Sequence, residues 1–307
     1  MSAGAEAPRV LAVFGPTASG KNAVAEALAR RIPAEIVSAD AMQAYRGLPI
    51  LTNQPERPTR LVAIWPLDHE GSVGEYQQLA HAAIDEVLAA GRTPVVTGGT
   101  GLYLRAALGE LALPPAPPPG ARERWEAFYD RAGGERAHAE LAELDPEAAA
   151  AVHANDRRRV VRALELADAG TSLRPASDRL WAAETRHPTF IAGLEVAPET
   201  LAARIERRTR AMFERGVVEE VGLALEGPLS ATARRAIGLE EVATLPPEGA
   251  IAAIALRTRQ YAAYQRKWLR RIPGAVSVPA DRPPDAVADA ILEMARIGQR
   301  LPARGAG

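Results

Sequence analysis

The sequence predicts an α/β fold, a parallel-sheet core interrupted by a helical insertion. Three observations point to it. Short β-rich runs alternate with segments of helical apolar spacing over the first hundred residues, the pattern of strands paired in parallel through crossover helices. A glycine-rich loop joins the first such strand to the first helix. A proline-rich break, LPPAPPPG (113–120), then precedes about 65 residues of helical periodicity without a convincing strand.

VLAVF (10–14) is a short β-rich run ending at a glycine, and NAVAEALARRI (22–32) follows with apolar residues at helical spacing. AEIVSAD (34–40) reads as a second strand ending at an aspartate, and LVAIW (61–65) as a third. EYQQLAHAAIDEVLAAG (75–91) is a helix stopped by Gly91. TPVVTGG (93–99) reads as a fourth strand, with another helix from Gly101. The Ala/Arg/Glu-rich stretch 121–186 is expected to be helical. FIAGLEV (190–196) returns to strand character, helices follow to about residue 271, AVSVPA (275–280) suits a last strand, and 284–298 a closing helix. The tail from Leu301 is expected to be disordered. The expected division is a core of 1–116 and 190–307 around an insertion of 117–189. Ligands of such sheets bind beyond the carboxyl ends of the strands, and those ends carry Gly15–Lys21, Asp40 and 97–100.

Composition narrows the classes. With 47% hydrophobic and 24% charged residues over 307 positions, the chain can bury a full core and stay in water. No apolar run approaches the roughly 18 residues of a membrane span, and the first residues, MSAGAEAPR, lack the basic and apolar regions of a signal peptide. A cytoplasmic enzyme without a membrane partner is the expectation, and nothing in the fold requires more than a monomer. The absence of cysteine excludes disulfides, a thiolate nucleophile and cysteine-ligated metal. The five histidines show no metal-ligand spacing. The net charge of −1 is silent about nucleic acid, so any such signal must come from clustering. Lysine occurs only at 21 and 267 against a background of arginine, which makes a lone arginine uninformative and the lysine at 21 conspicuous.

FGPTASGKN (14–22) nearly spells the phosphate-binding loop G-x-x-x-x-G-K-[ST], making the core one of the P-loop type. Gly15 and Gly20 let the backbone of Pro16, Thr17, Ala18 and Ser19 curl so that N–H groups converge on one anion. The helix start adds its positive end and Lys21 a full charge. The pattern speaks for a phosphate or diphosphate and not for which molecule carries it. Asn22 departs from it, because Ser or Thr there normally offers a hydroxyl to Mg²⁺. The Asn amide oxygen leaves three readings: weakened direct coordination, a metal held through water, or an inactive site. In SADAMQAYRG (38–47), Asp40 stands at a strand end near the loop. It is either an N-cap for a short helix or a functional carboxylate in a stretch also holding Ala41, Met42, Gln43 and Tyr45.

GPTASGK (15–21), the SAD, MQ and YRGLPI pieces of 38–50, and TGGTGLYLRAALG (97–109) together resemble the tRNA dimethylallyltransferases. VHANDRRRVVRALEL (152–166), ARRAIGLEE (233–241) and TRQYAAYQRKWLRR (258–271) match in the same order, so the resemblance runs from about residue 10 to 271. It implies transfer of a dimethylallyl group from dimethylallyl diphosphate to N6 of adenosine 37 in the tRNA anticodon loop. The loop then holds an allylic diphosphate rather than ATP. The resemblance makes Asp40 the base for the adenine amine and places Thr100 near the diphosphate and the target nucleotide. Without it, Thr100 is equally an N-cap of the helix from Gly101. It makes Arg235 a diphosphate contact, where a solvated charge is the alternative. With Lys21, these form the expected catalytic set, and Mg²⁺ is the expected cofactor.

For tRNA, the resemblance implies contacts from 40–43, from Thr100, and from Arg158, Arg159, Val160, Val161 and Arg162, with Arg124 adding another. RTRQYAAYQRKWLRR (257–271) carries six basic residues and no acidic one, interleaved with Tyr261, Tyr264 and Trp268. Arg266 and Trp268 suit backbone holding and base stacking, against the alternative of a solvated basic face over core aromatics. Departures from the family pattern are Asn22, Ala41 for serine, Gln54 for lysine, and Ala263 and Tyr264 for lysine and arginine. The competing readings are a P-loop small-molecule kinase, an adenylate prenyltransferase, and a tRNA-binding homologue with weakened catalysis. The kinase reading expects a hydroxyl after Lys21 and gives no role to the aromatic-basic helix.

Overall fold

The computed structural model describes residues 9–113, 118–173 and 179–298. The tail from Leu301 and prolines 114, 115 and 117 lie outside them. The chain forms two compact units, one of residues 1–110 and 183–307 and one of 111–182.

In the larger unit, strand β1 (Val10–Phe14) is buried along its whole length and passes through the 15–20 loop into helix α1 (Lys21–Arg31). α1 turns Val24, Ala25, Ala27 and Leu28 inward, the i, i+3, i+4 face its spacing predicts. Strand β2 (Ala34–Ser38) follows, then a long irregular stretch and helix α2 (Val73–Ala89), whose Ser72 cap accepts a hydrogen bond from the Glu75 N–H (3.1 Å). Strand β3 (Thr93–Gly98) leads into helix α3 (Gly101–Leu108).

The expected strand at 61–65 is absent. Leu61 and Ala63 adopt left-handed φ of 64° and 54°, which breaks an extended run. The backbone N–H groups of Ala63 and Trp65 instead donate to the Gln43 and Ala44 carbonyls (both 2.9 Å), in the turn after β2. The segment thus braces the stretch that carries Asp40.

The smaller unit is helical: α4 (Ala121–Ala132), α5 (Gly134–Leu144), α6 (Pro146–Ala151) and α7 (Arg157–Asp168). They enclose Ala137, Leu141, Val160, Ala163 and Leu164. Glu165 is buried among them and neutralised by Arg122 (3.0 Å) and Arg162 (2.9 Å). The unit spans 111–182 rather than 117–189 because the residues after it are tied to the larger unit. Arg186 pairs with Asp85 (2.9 Å) and Glu110 (3.0 Å), and its backbone N–H donates to the Leu108 carbonyl (2.8 Å).

The larger unit resumes with strand β4 (Thr189–Glu195), then helices α8 (Pro198–Glu214), α9 (Val217–Leu225), α10 (Leu239–Thr244) and the 23-residue α11 (Pro247–Leu269). Strand β5 (Ala275–Pro279) and helix α12 (Pro284–Gly298) complete it. Among the described residues the sheet has five strands in the order β2-β3-β1-β4-β5, all pairs parallel. Apolar residues of β1, β4 and β5 pack with α1 and α12 into one core. A second core joins Leu48 and Leu51 to α9, α10 and α11, with the Glu220 carboxylate accepting from the Ile50 (2.7 Å) and Leu51 (2.8 Å) N–H groups.

The register decides where chemistry can occur. Phe14 lies beside Gly98 and Ser38 beside Thr97, so β1, β3 and β2 end level with one another. The 15–20 loop, Thr100 and Asp40 leave the same sheet edge side by side. Gly98 is fixed by this closeness, because a Cβ there would stand 2.0 Å from the Ala39 carbonyl oxygen. Gly98→Ala should therefore cost about 1–3 kcal/mol in urea unfolding. Gly222→Ala, in α9 with nothing within 4 Å of a new Cβ, should gain about 0.5–1 kcal/mol. Equal effects of the two would contradict the close approach at 98.

Candidate active site

The loop after β1 folds as its glycines predict. Gly20 has φ +88° with open space around it, so its glycine serves conformation, and Ala18 is also left-handed at φ +63°. Left-handed residues between right-handed neighbours turn consecutive N–H groups to one side, an anion-binding nest. Two of the loop's donors are already used. The Thr17 N–H donates to Gln265 Oε1 (2.7 Å), and the Ser19 N–H to the Pro16 carbonyl (3.2 Å). The N–H groups of Ala18, Gly20, Lys21 and Asn22, at the first turn of α1, have no such bond among the described residues. These four, rather than every amide of 17–21, are the loop amides available to an anion.

Two cations stand on the loop. Lys21 donates to the Pro16 carbonyl (3.3 Å), and burial pushes its ammonium down to about 8, opposed by the Asp40 charge and aided by that of Arg208. Arg208, from α8, donates to Thr17 Oγ1 (2.8 Å), and burial likewise lowers its guanidinium, opposed by Asp40. Arg208 Nε, Ser19 Oγ and Thr97 Oγ1 are buried without a hydrogen-bond partner among the described residues. Donor groups of this kind on and around a cationic loop suit an anion with several oxygens. Arg208 went unnoticed in the sequence because arginines crowd α8 and none is distinguished there. Arg235, expected at the diphosphate, ends a 3₁₀ turn (Ala233–Arg235) and is exposed. The arginine bonded to the loop is Arg208.

Asp40 sits two residues past β2. No helix follows it; Oδ1 accepts from the Met42 N–H (3.0 Å) and caps a turn, while Oδ2 makes no hydrogen bond among the described residues. The cap thus orients a carboxylate whose other oxygen is available. Thr100 occupies the N-cap position of α3, yet its hydroxyl makes no capping bond. Its Oγ1 accepts from the Ala41 N–H (3.5 Å) and meets Tyr261 Oη (3.4 Å). Burial, then the Asp40 charge, pushes the Tyr261 phenol up to about 12, so it remains a neutral hydroxyl. Lys21, Arg208, Asp40, Thr100 and Tyr261 together provide two cations, a carboxylate and two hydroxyls at one sheet edge.

Asn22 lines a cleft of about 520 Å³ that also holds Gln54, Asn53, Glu26, Arg57 and Arg215. Two departures from the family pattern, Asn22 and Gln54, thus share one cleft. Gln54 replaces a charge with a tie, its Nε2 donating to the Tyr45 (2.6 Å) and Gln43 (3.2 Å) carbonyls. Among the described residues no group of three or more imidazole or carboxylate side chains could hold a metal ion. A hard cation held by the Asn22 amide oxygen would take the rest of its shell from water and a bound anion, an arrangement Mg²⁺ accepts.

Several expected tRNA contacts have side chains used otherwise. Val160 and Val161 are buried at 0% and 3% exposure and present nothing to a polynucleotide. Gln43 is buried, accepting from Ser38 Oγ (3.0 Å) and donating to the Asn53 carbonyl (2.9 Å). Arg162 pairs with Glu165, and Arg124 with Asp168 beside the Trp125 ring. Met42 packs partly into the second core. Arg158 and Arg159 are exposed at the start of α7. On α11, Tyr261, Tyr264 and Trp268 form a ladder with 6.4 Å between successive ring centroids, and Tyr264 is exposed. Trp268 covers Gly101, where a Cβ would stand 2.3 Å from its ring, and Arg266, two residues earlier, is half-buried.

The chain matches the profile of the IPP transferase family over residues 43–272 and that of isopentenyl transferases over 8–59. It is 41% identical over 286 residues to the tRNA dimethylallyltransferase of Streptomyces coelicolor, covering 89% of this chain and 91% of that one. The tRNA dimethylallyltransferase of Acidothermus cellulolyticus is 40% identical over 287 residues, 89% of each. Among solved structures, the tRNA isopentenylpyrophosphate transferase of Bacillus halodurans superposes with a TM-score of 0.67 at 31% identity, over 94% of this chain and 96% of that one. A eukaryotic dimethylallyltransferase captured acting on tRNA shares the fold, with a TM-score of 0.76 at 24% identity over 96% and 81% of the two chains.

The Lys21 ammonium gives the site a pH signature. Its charge is present below about 8 and is lost as pH rises through that value. Stabilisation of the fold by inorganic diphosphate, read as a shift in melting temperature, should therefore decline above about pH 8. Lys21→Arg should keep the shift up to ~10, because a guanidinium stays charged there. A shift independent of pH in the unaltered protein would count against Lys21 as the anion's partner.

Proposed function

Because the chain belongs to the IPP transferase family, which includes the tRNA dimethylallyltransferases, we propose that it moves a dimethylallyl group from dimethylallyl diphosphate to N6 of adenosine 37 in tRNA. The observation that carries this reading is the placement of a cationic phosphate loop and a carboxylate with an available oxygen on the same sheet edge. As C1 of the allyl group bonds to N6, its bond to the diphosphate oxygen breaks and N6 loses a proton. Charge accumulates on the departing diphosphate, where the Ala18, Gly20, Lys21 and Asn22 N–H groups, the Lys21 ammonium and the Arg208 guanidinium receive it. The adenine amine is a poor nucleophile because its lone pair is delocalised into the ring, and Asp40 takes the proton as the new bond forms. Thr100 and Tyr261, linked to each other and, through Thr100, to the Ala41 N–H, orient the incoming base in this reading. The Asn22 amide oxygen would help hold Mg²⁺, which would supply neutralising charge to the leaving group.

In tRNA recognition, the exposed Arg158 and Arg159 hold phosphate, and the α11 ladder offers Tyr264 as a stacking face. A loop adenine is a sensible acceptor, since removing an unpaired base from its stack costs only a few kcal/mol. A small-molecule kinase has no use for an aromatic ladder on a basic helix, and it depends on the hydroxyl that Asn22 lacks.

With labelled dimethylallyl diphosphate and unmodified tRNA, transfer should occur with tRNA and not with AMP, and Asp40→Ala should lower its rate by ~10²–10⁴-fold while tRNA affinity holds. Transfer that survives the substitution would remove Asp40 as the base. Arg158→Ala should weaken tRNA binding and flatten the dependence of log affinity on log salt by about 1. Arg157→Ala should instead destabilise the helical unit, because Arg157 is paired with Asp130 (2.7 Å) and Glu126 (3.3 Å). Indistinguishable binding by the Arg158 variant and the unaltered protein would remove α7 from the interface.

A further inference from the structure

We propose that Gln265 is a positioning residue for the transfer, setting the phosphate loop in register with the segment that carries Thr100. The side chain lies on α11, is 2% exposed, and spans two loops with one amide. Its Oε1 accepts from the Thr17 N–H (2.7 Å), and its Nε2 donates to the Gly99 carbonyl (2.8 Å). The two ends of the amide are not interchangeable, since the reverse orientation would set donor against donor and acceptor against acceptor. Gly99 makes room for the contact: a Cβ there would stand 2.2 Å from Nε2. One turn earlier on the same helix, Tyr261 is linked both to Thr100 (3.4 Å) and to Gln265. A single helical turn thus touches the diphosphate cradle on one side and the Thr100 hydroxyl on the other.

The consequence is geometric. Occupying the Thr17 N–H turns that amide away from the anion and leaves the N–H groups of Ala18, Gly20, Lys21 and Asn22 as the set that receives it. Holding the Gly99 carbonyl keeps Thr100 and the Ala41 N–H bonded to it at a constant offset from that set. A displacement of either loop changes the distance between the leaving group and the accepting amine, on which the rate of a positioned reaction depends steeply. Gln265 touches neither reacting atom and acts through the backbone on both sides.

The inference rests on the prenyl-transfer reading, and a substitution that changes only the donor end tests it. In Gln265→Glu, a carboxylate at pH ~8 sets an oxygen against the Gly99 carbonyl, whereas the protonated acid, favoured by burial, restores an O–H donor there as pH falls to ~6. Relative to the unaltered enzyme at the same pH, kcat/KM for dimethylallyl diphosphate should fall ~10-fold or more at pH ~8 and recover towards parity at ~6. Gln265→Leu should stay low at both, and tRNA affinity should be unchanged in both variants. A ratio near one for both variants overturns the proposal. So does an equal loss for Glu and Leu at both pH values, or failure of both to fold at the lower one, because either makes Gln265 a packing residue only. If the unaltered protein transfers no prenyl group, the functional reading fails instead. The clamp is then read from the melting shift with inorganic diphosphate, which Gln265→Glu should lose at pH ~8 and regain at ~6.

Discussion

Two cations held on a loop of backbone amides, with one carboxylate opposing them, form the interaction on which the rest of this site depends. Burial disfavours the charged forms of both Lys21 and Arg208, and Asp40 offsets only part of that cost. The balance leaves a positive site whose charge a multivalent anion relieves. Placing an anion there raises the affinity of Lys21 for its proton and satisfies donors that the fold leaves without partners, among them Arg208 Nε and Ser19 Oγ. In the proposed transfer, the carboxylate that tempers the cations is also the group that accepts the proton from the nucleophile. Under that proposal, diphosphate departure and amine deprotonation are coupled through one electrostatic balance.

Holding that balance in place is the task of the sheet edge. Level strand ends set the phosphate loop, Asp40 and Thr100 side by side, and Gly98 permits the close contact between neighbouring segments. The irregular 60–65 stretch braces the turn after Asp40 through its bonds to Gln43 and Ala44. From the far end of the chain, α11 reaches back 248 residues to the loop through Gln265. Few of these contacts are charged, and most join backbone to backbone or amide to backbone, which fixes distances without adding charge to the site.

Much of this was legible in the sequence, for identifiable reasons. The loop and its lysine announce themselves through glycine spacing and a rare residue type, and parallel strands place Asp40 and Thr100 at their ends by topology alone. The run LVAIW carries every mark of a strand, yet left-handed Leu61 and Ala63 divert it, since the 43–46 turn offers its donors partners that no local pattern reveals. Arg208 was hidden by the arginine-rich background, while motif resemblance drew attention to Arg235, which the fold leaves exposed. Gln265 was invisible because a neutral amide gains meaning only from the two distant backbone groups it joins. In RRRVVR, motif resemblance marked Val160, Val161 and Arg162 for tRNA, but the fold buries the valines, and the buried Glu165 that engages Arg162 depends on how the helices pack.

The claim that Lys21 is a depressed ammonium waiting for a diphosphate is tested most directly by proton linkage. Calorimetric titration with dimethylallyl diphosphate at pH about 8, repeated in buffers of different ionisation enthalpy, measures the protons exchanged on binding. Lys21 is half-protonated near that pH, and an anion beside it completes the protonation. The account predicts uptake of about half a proton per site, abolished in Lys21→Arg. Binding without proton uptake in the unaltered protein, or undiminished uptake in the variant, would contradict it.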